Sequence, residues 1–180
     1  MKTFGSILRV LAAVTCVYWG GIQGSFAQYE RSEIEVAMLL KLVSFTEWKD
    51  ADPDQYTLGV FENREVYGIF ESIIASSNLK GSINLVSVDR DFGEEALEGF
   101  HILYFANDEP GVIEEFLQKV GDRSILLAGN IDDFLELGGM VMINEVSGKL
   151  SFSIDVGKSR ENGIQFRSKL LRLAGKVVGS

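Results

Sequence analysis

The chain has 180 residues, of which 46% are hydrophobic and 24% are charged, with two prolines and a single cysteine. This composition is typical of a globular protein and excludes collagen-like, disordered and disulfide-stapled classes. The formal net charge of −9 argues against nucleic-acid binding, which requires a dense basic surface.

The N-terminus has the pattern of a cleaved secretory signal. A basic start precedes the apolar stretch Val10–Trp19, and a small-x-small cleavage site ends at Ala27. The apolar stretch is too short to span a bilayer as a helix, which needs about 20 residues. We therefore predict that residues 1–27 are a cleaved signal peptide and that residues 28–180 are one exported domain.

The exported region opens with a helical pattern over Glu33–Trp48. The apolar face predicted for this helix consists of Ile34, Ala37, Met38, Leu42, Phe45 and Trp48. The β-prone run Tyr56–Phe61 predicts a strand, and Glu65–Ala75 predicts a second helix.

Strands and helices then continue to alternate. The predicted elements are strands Ile83–Val88, His101–Phe105 and Ser124–Ala128 and helices Val112–Val120 and Asp132–Leu137. Ser147-Gly148 is a hairpin signal between strands Met140–Val146 and Lys149–Ile154. A helix over about Gln165–Val178 closes the chain. The pattern predicts a three-layer α/β/α fold with a mixed, mostly parallel sheet and a late β-hairpin.

The sequence offers little for catalysis or metal binding. His101 is the only histidine and opens a buried strand, where a hydrogen-bonded structural role is the favoured interpretation. A hydrolase using His101 with Asp132 and Asp133 stays open as an alternative, although no Gly-x-Ser-x-Gly elbow is present. Gly138-Gly139 is interpreted as a helix end in the left-handed conformation. We predict no catalytic residues, no metal and no cofactor.

Positive charge is concentrated at the C-terminus. The basic residues of the last 24 positions are Lys158, Arg160, Arg167, Lys169, Arg172 and Lys176, and the one acidic residue there is Glu161. One interpretation is that these cations favour the C-terminal end of a helix and its solvated face. The other is a docking surface for an acidic partner, or for an anion held by Arg160 and Arg167.

Several segments together are similar to a known family. They are KLVSFTEW (41–48), LGVF (58–61), HILYF (101–105), SIL (124–126) leading to Phe134, GGM (138–140), KLSFSID (149–155) and SKLLRLA (168–174). In this order and spacing, the chain resembles the YfiR-like family of periplasmic proteins. The resemblance covers nearly all of the predicted exported region.

This resemblance implies a non-enzymatic regulator in the periplasm of a Gram-negative bacterium. Such a protein binds and represses the periplasmic sensor part of an inner-membrane signalling protein, typically a diguanylate cyclase, so it lowers cyclic di-GMP and restrains biofilm formation. The resemblance also implies an outer-membrane lipoprotein as a possible further partner, and a homodimer. The structural family positions implied are Trp48, His101, Gly138, Gly139, Met140 and Ser168. The residues chosen for partner contact are Arg160, Glu161, Arg167 and Lys169.

Two positions depart from the family pattern. A cysteine often precedes the His-Ile-Leu strand, but this chain has Phe100 there, so a disulfide cannot control the exported protein. The hairpin also ends in Ile154-Asp155-Val156, where an Ile-Asn-Leu type of sequence is more usual.

The alternative function is a small-molecule-binding module that serves a membrane receptor or sensor kinase. Open α/β sheets bind ligands outside the carboxyl ends of their strands. This edge would include residues near Phe61, Phe105, Asn107 and Gly129.

Overall fold

A computed structural model of the chain describes residues 30–49, 55–106 and 109–179. The predicted signal peptide, residues 1–27, lies outside the described residues. Within the described ranges, no helix is both long enough and apolar enough to cross a membrane.

The first helix, α1, covers residues 30–43. The other helices are α2 (Arg64–Ser76), α3 (Pro110–Val120), α4 (Val156–Glu161) and α5 (Ser168–Leu171), with a 3-10 helix at Glu94–Gly99. The strands are β1 (Thr46–Trp48), β2 (Tyr56–Phe61), β3 (Ile83–Val88), β4 (Ile102–Phe105), β5 (Leu126–Gly129), β6 (Val141–Val146), β7 (Lys149–Asp155), β8 (Ile164–Phe166) and β9 (Lys176–Val178).

Seven strands form one sheet in the order β3-β2-β4-β5-β6-β7-β9. All neighbours in this sheet are parallel except β6 and β7, which form an antiparallel hairpin. The hairpin turn has positive φ at both central residues, 53° at Ser147 and 76° at Gly148, as a type I′ turn requires. The predicted mixed, mostly parallel α/β sheet with a late hairpin is confirmed.

Helices cover both faces of the sheet. Tyr104 and Phe105 are neighbours in β4, so their side chains point to opposite faces. Tyr104 contacts Phe70 of α2, with ring centroids 5.4 Å apart, and Phe105 contacts Phe116 of α3 at 6.1 Å. The helices α2 and α3 therefore lie on opposite faces, and the central strands between them are buried throughout.

The predicted helix over Asp132–Leu137 is wrong, because these residues form consecutive turns. Asp133 has a φ of 57°, which a right-handed helix does not accommodate. The turns let Phe134, which is fully buried, pack against Phe105 at a centroid distance of 5.6 Å. The segment that joins β5 to β6 thus contributes to the core without regular secondary structure.

The first predicted helix extends too far along the chain. The helix α1 ends at residue 43, and Phe45 N–H donates to the Leu42 carbonyl in a turn that leads into β1. Its buried face also differs from the predicted one, since the side chain of Ile34 is 56% exposed. The residues of α1 that are buried are Glu35, Val36, Leu39, Leu40, Leu42 and Val43.

The predicted C-terminal helix over Gln165–Val178 is also wrong. This region forms β8, the short helix α5 and β9. Ile164 of β8 pairs with Trp48 of β1, and Val177 of β9 pairs with Ile154 of β7. Pairing with distant strands overrides a helical spacing of apolar residues, because tertiary contacts outweigh local propensity.

Candidate functional site

The four residues predicted to contact a partner lie close together in the sequence and at the protein surface. Arg160 and Glu161 end α4, Arg167 follows β8, and Lys169 is in α5; all four are exposed. We call α4, β8 and α5, together with the paired strand β1, the basic ribbon. Arg172, at the end of α5, is exposed on the same segment.

Two cations of the basic ribbon are held by contacts with the region around β1. The Arg167 Nε donates to Glu47 Oε1 at 2.8 Å. The Lys169 Nζ lies 5.8 Å from the centre of the Phe45 ring, within cation–π range. In the described part of the chain, Arg160 forms no ion pair, so its charge is available to a partner.

A shallow groove of about 180 Å³ lies beside Arg160. Its apolar lining comes from α4, β8 and α5 through Val156, Ile164, Phe166 and Leu171. A guanidinium next to an apolar floor suits a partner segment that carries both an acidic and an apolar side chain.

The structure places Met140, Gly138 and Ser168, three of the remaining predicted family positions, in different surroundings. Met140 is fully buried, its N–H donates to the Leu127 carbonyl, and its own carbonyl accepts from Asp155 N–H. Gly138 has a φ of 106°, which an L side chain rarely adopts. Ser168 is exposed at the first position of α5.

Gly139 must be glycine for a different reason, which is the lack of space for a side chain. A β-carbon at this position would overlap the ring of Phe134 and lie 2.8 Å from the carbonyl oxygen of the same residue. The glycine pair therefore combines a left-handed turn at Gly138 with close packing at Gly139. The sequence reasoning predicted the turn alone.

His101 is joined to the neighbouring strand by both its backbone and its side chain. Its N–H donates to the Thr57 carbonyl at 2.9 Å, and its Nδ1 accepts from Thr57 N–H at 3.2 Å. Its ring makes edge contacts with Tyr56 and Trp48, at centroid distances of 5.5 and 6.3 Å. Burial lowers the pKa of His101, so the ring is neutral at neutral pH and carries its proton on Nε2.

The lowered pKa of His101 predicts a loss of stability in mild acid. The unfolded chain takes up a proton near pH 6.5, while the folded chain takes it up only at lower pH. The free energy of unfolding should therefore fall as the pH drops below 6.5. His101→Asn keeps an acceptor for Thr57 N–H and does not titrate, so urea unfolding across this range should show a smaller loss for the variant.

An equal loss in both proteins would contradict this assignment and point to carboxylates instead. Glu98 and Arg123 are the charged groups that line the same cleft as His101.

A cleft of about 340 Å³ opens beside His101, and we call it the His101 cleft. His101 directly precedes β4, and Ser124 and Ile125 directly precede β5, so the cleft lies at the amino ends of the parallel strands. Its polar lining is Glu98, His101, Arg123 and Ser124. Its apolar lining is Trp48, Leu97, Phe100 and Ile125.

Arg123 is fixed at the rim of this cleft by the end of α3. Its Nη1 donates to the carbonyls of Lys119 and Val120, each at 2.8 Å. Its Nη2 lies 3.7 Å from Glu94 Oε2, which is beyond hydrogen-bond distance. Sequence reasoning missed Arg123, because no motif surrounds it.

A second polar cluster lies at the opposite, carboxyl edge of the sheet. Glu35 of α1 is only 4% exposed and accepts from Arg31 Nε at 3.0 Å and from Asn130 Nδ2 at 2.8 Å. Arg31 Nη1 also donates to Glu145 at 2.6 Å, and the hydrogen bond to Glu35 is the main cause that raises the pKa of Arg31. These contacts join α1 to the ends of β5 and β6. The sequence signal that could indicate this cluster is an acidic residue among the apolar positions of α1.

The residues expected to form a ligand site at this edge are placed differently. Phe61, Phe105 and Gly129 are buried in the core, and Asn107 lies outside the described residues. Within the described ranges, no group of three or more His, Cys, Asp or Glu side chains could hold a metal ion.

The sheet order and the hairpin define a mixed α/β fold, and a family comparison gives the class. The model of the YfiR/HmsC-like family matches residues 32–175, so the chain belongs to this family. Proteins of this family are periplasmic and regulatory, and the family is not a known enzyme family. Membership suggests a regulator of diguanylate cyclase systems that interacts with a membrane signalling protein.

A solved structure shares the fold. It is the crystal structure of a conserved domain protein from Vibrio cholerae, with a TM-score of 0.59 and 14% sequence identity. The match covers 81% of this chain and 60% of the Vibrio chain. No curated protein matches the sequence.

Proposed function

We propose that the protein is a non-enzymatic periplasmic regulator that represses an inner-membrane diguanylate cyclase. It binds the periplasmic sensor part of the cyclase and lowers cyclic di-GMP output. Family membership and the signal-like residues 1–27 support this proposal, with residues 28–180 as the exported domain. A homodimer and an outer-membrane lipoprotein as a second partner stay predictions from the family resemblance.

The proposal of a docking surface rests on the exposed positive charge of the basic ribbon. The net charge of the whole chain is −9, yet Arg160, Arg167, Lys169 and Arg172 are all exposed on one short segment. Charge complementarity steers association and suppresses wrong partners. The expected docking site on the cyclase is therefore acidic, with an apolar side chain for the groove beside Arg160.

Repression requires a difference in affinity between two states of the cyclase. A regulator that binds the active and inactive states equally shifts nothing. Moving the cyclase from nearly all active to nearly all inactive takes about 10⁴-fold tighter binding to the inactive state. Equal affinity for the wild-type cyclase and for a constitutively active mutant would contradict repression.

The partner can be identified by crosslinking the tagged protein in intact cells and analysing the captured proteins by mass spectrometry. Recovery of an inner-membrane protein with a diguanylate cyclase domain supports the proposal. Recovery of a sensor kinase would keep the regulatory class and replace the cyclase as target. Recovery of the protein alone would contradict the partner model.

Charge reversal on the basic ribbon should slow association with the captured partner. We expect Arg160→Glu with Lys169→Glu to lower the association rate about tenfold or more at low salt, because steering of acidic and basic surfaces is lost. Glu161→Lys should raise the rate. Surface plasmon resonance on the periplasmic part of the partner measures both changes.

The matched control is Lys80→Glu with Lys149→Glu, which reverses two exposed cations outside the basic ribbon. This variant has the same net charge as the test variant. Equal slowing by the two double variants would show that net charge, rather than the basic ribbon, governs association.

A further inference from the structure

We propose that the His101 cleft is a binding site for a small organic anion, a carboxylate with an apolar body. This site lies at the amino edge of the sheet and shares Trp48 with the basic ribbon. Its lining includes none of the predicted contact residues Arg160, Glu161, Arg167 and Lys169, so it can be tested independently of the proposed function.

Two hydrogen-bond donors of the cleft lining belong to His101 and Trp48, whose ring centroids lie 6.3 Å apart. The Nδ1 of His101 accepts from Thr57, so the neutral ring presents an N–H at Nε2. No acceptor for this N–H lies among the described residues. The indole nitrogen of Trp48, which lines the same cleft, is buried and likewise has no acceptor in the described ranges. A buried donor without a partner is unfavourable, and an acceptor supplied by a ligand would remove this penalty.

Arg123 adds positive charge to these donors. Its Nη1 is occupied by the carbonyls at the end of α3, which fix the guanidinium in place. Its Nη2 makes no hydrogen bond within the described part of the chain. A fixed guanidinium favours a carboxylate, because its planar N–H groups match the two carboxylate oxygens.

The walls of the cleft are apolar and favour a ligand with an apolar body. Leu97, Phe100 and Ile125 line it together with the face of Trp48. Its volume of about 340 Å³ is at the lower end of the range for small-molecule sites. Leu97, Phe100 and Ile125 are themselves buried, whereas Trp48 is only partly buried. A compact ring or a short chain would pack against the exposed part of Trp48, and a bare inorganic anion would not.

Glu98 allows a test of whether the ligand of the cleft is negatively charged. It lines the rim of the cleft, is exposed, and forms no ion pair within the described residues. Its charge opposes an incoming anion, although water screens the repulsion. Removing the charge of Glu98 should therefore tighten anion binding, while removing the charge of Arg123 should weaken it.

The experiment is a calorimetric titration of the exported chain with benzoate, benzamide and inorganic phosphate. We expect saturable binding of benzoate, and at least about tenfold weaker binding of benzamide, which has the same shape but no charge. Phosphate should bind weakly or not at all, because it has no apolar body. The resonances of the single histidine, His101, should shift with benzoate in NMR spectra.

The variants locate the site. Arg123→Gln should weaken benzoate binding about tenfold, Glu98→Gln should tighten it, and the exposed Arg64→Gln in α2 should leave it unchanged. Glu98→Gln removes no contact within the described residues, so its result holds even if Arg123→Gln unfolds. Absence of benzoate binding, equal binding of benzamide, or tighter binding of phosphate would overturn the proposal. Weaker binding of benzoate to the Glu98→Gln variant would also overturn the proposal. None of these results tests the docking role of the basic ribbon.

Discussion

Gly139→Ala is expected to lower the free energy of unfolding by about 3 kcal/mol, because the core has no room for the added methyl group. The new β-carbon would overlap the ring of Phe134 and lie 2.8 Å from its carbonyl oxygen. The ring cannot move aside easily, since it is fully buried and packs against Phe105 at a centroid distance of 5.6 Å. Urea unfolding monitored by circular dichroism measures the change.

Gly68→Ala is the matched control for this prediction. Gly68 lies in α2 and is exposed, and a β-carbon added there would meet no other atom within 4 Å. Alanine there should raise the free energy of unfolding by about 0.5–1 kcal/mol, because it favours the helix. Similar effects of the two substitutions would show that backbone entropy, rather than the packing of Phe134, decides the cost at Gly139.

Phe134→Ala should cost about 4 kcal/mol, the usual range for deleting a buried phenyl ring. Phe134 lies outside every helix and strand, yet its side chain is fully buried and contacts Phe105. The loss should appear as a fall in the melting temperature of roughly 10 °C. A flexible surface loop would show almost no change, so this measurement tests whether the β5–β6 connection is part of the core.

Leu135→Ala tests the neighbouring position in the same connection. Leu135 is only partly buried, so its truncation should cost no more than about 1 kcal/mol. The double variant Phe134→Ala with Gly139→Ala adds a second check. Removing the ring should reduce the cost of Gly139→Ala, because the two residues are in contact and their effects are not additive.

The parts of the fold that could be predicted are those with strong local signals. The strands Tyr56–Phe61 and Ile83–Val88 have the predicted boundaries. The hairpin around Ser147-Gly148 was predictable as well, because a two-residue type I′ turn needs residues that tolerate positive φ. Buried parallel strands and tight turns depend mostly on neighbouring residues, so the sequence displays them directly.

The C-terminal region could not be predicted in this way. Its apolar residues recur at a spacing that fits a helix, but β8 and β9 are stabilised by pairing with strands far away in the sequence. The same limit applies to α1, where nearly every position from Val36 to Val43 is apolar. Such a run does not define which face is buried, and the contacts of α1 with the sheet decide it.

The two candidate sites differ in how visible they are in the sequence. The exposed cations of the basic ribbon lie on one continuous segment, so the distribution of charge along the sequence predicts them. The His101 cleft draws its lining from three separate regions, around Trp48, around Phe100 and around Arg123. The general rule for open α/β sheets also points to the carboxyl edge, whereas this cleft lies at the amino edge.

Trp48 belongs to both surfaces, since it ends β1 of the basic ribbon and lines the His101 cleft. The chain has two tryptophans, and the other, Trp19, lies in the predicted signal peptide. If residues 1–27 are removed on export, as we propose, Trp48 is the single tryptophan of the remaining chain and a fluorophore at the junction of the two candidate sites. Its emission offers a label-free optical readout of events at either surface, and the variants described above would tell the two apart.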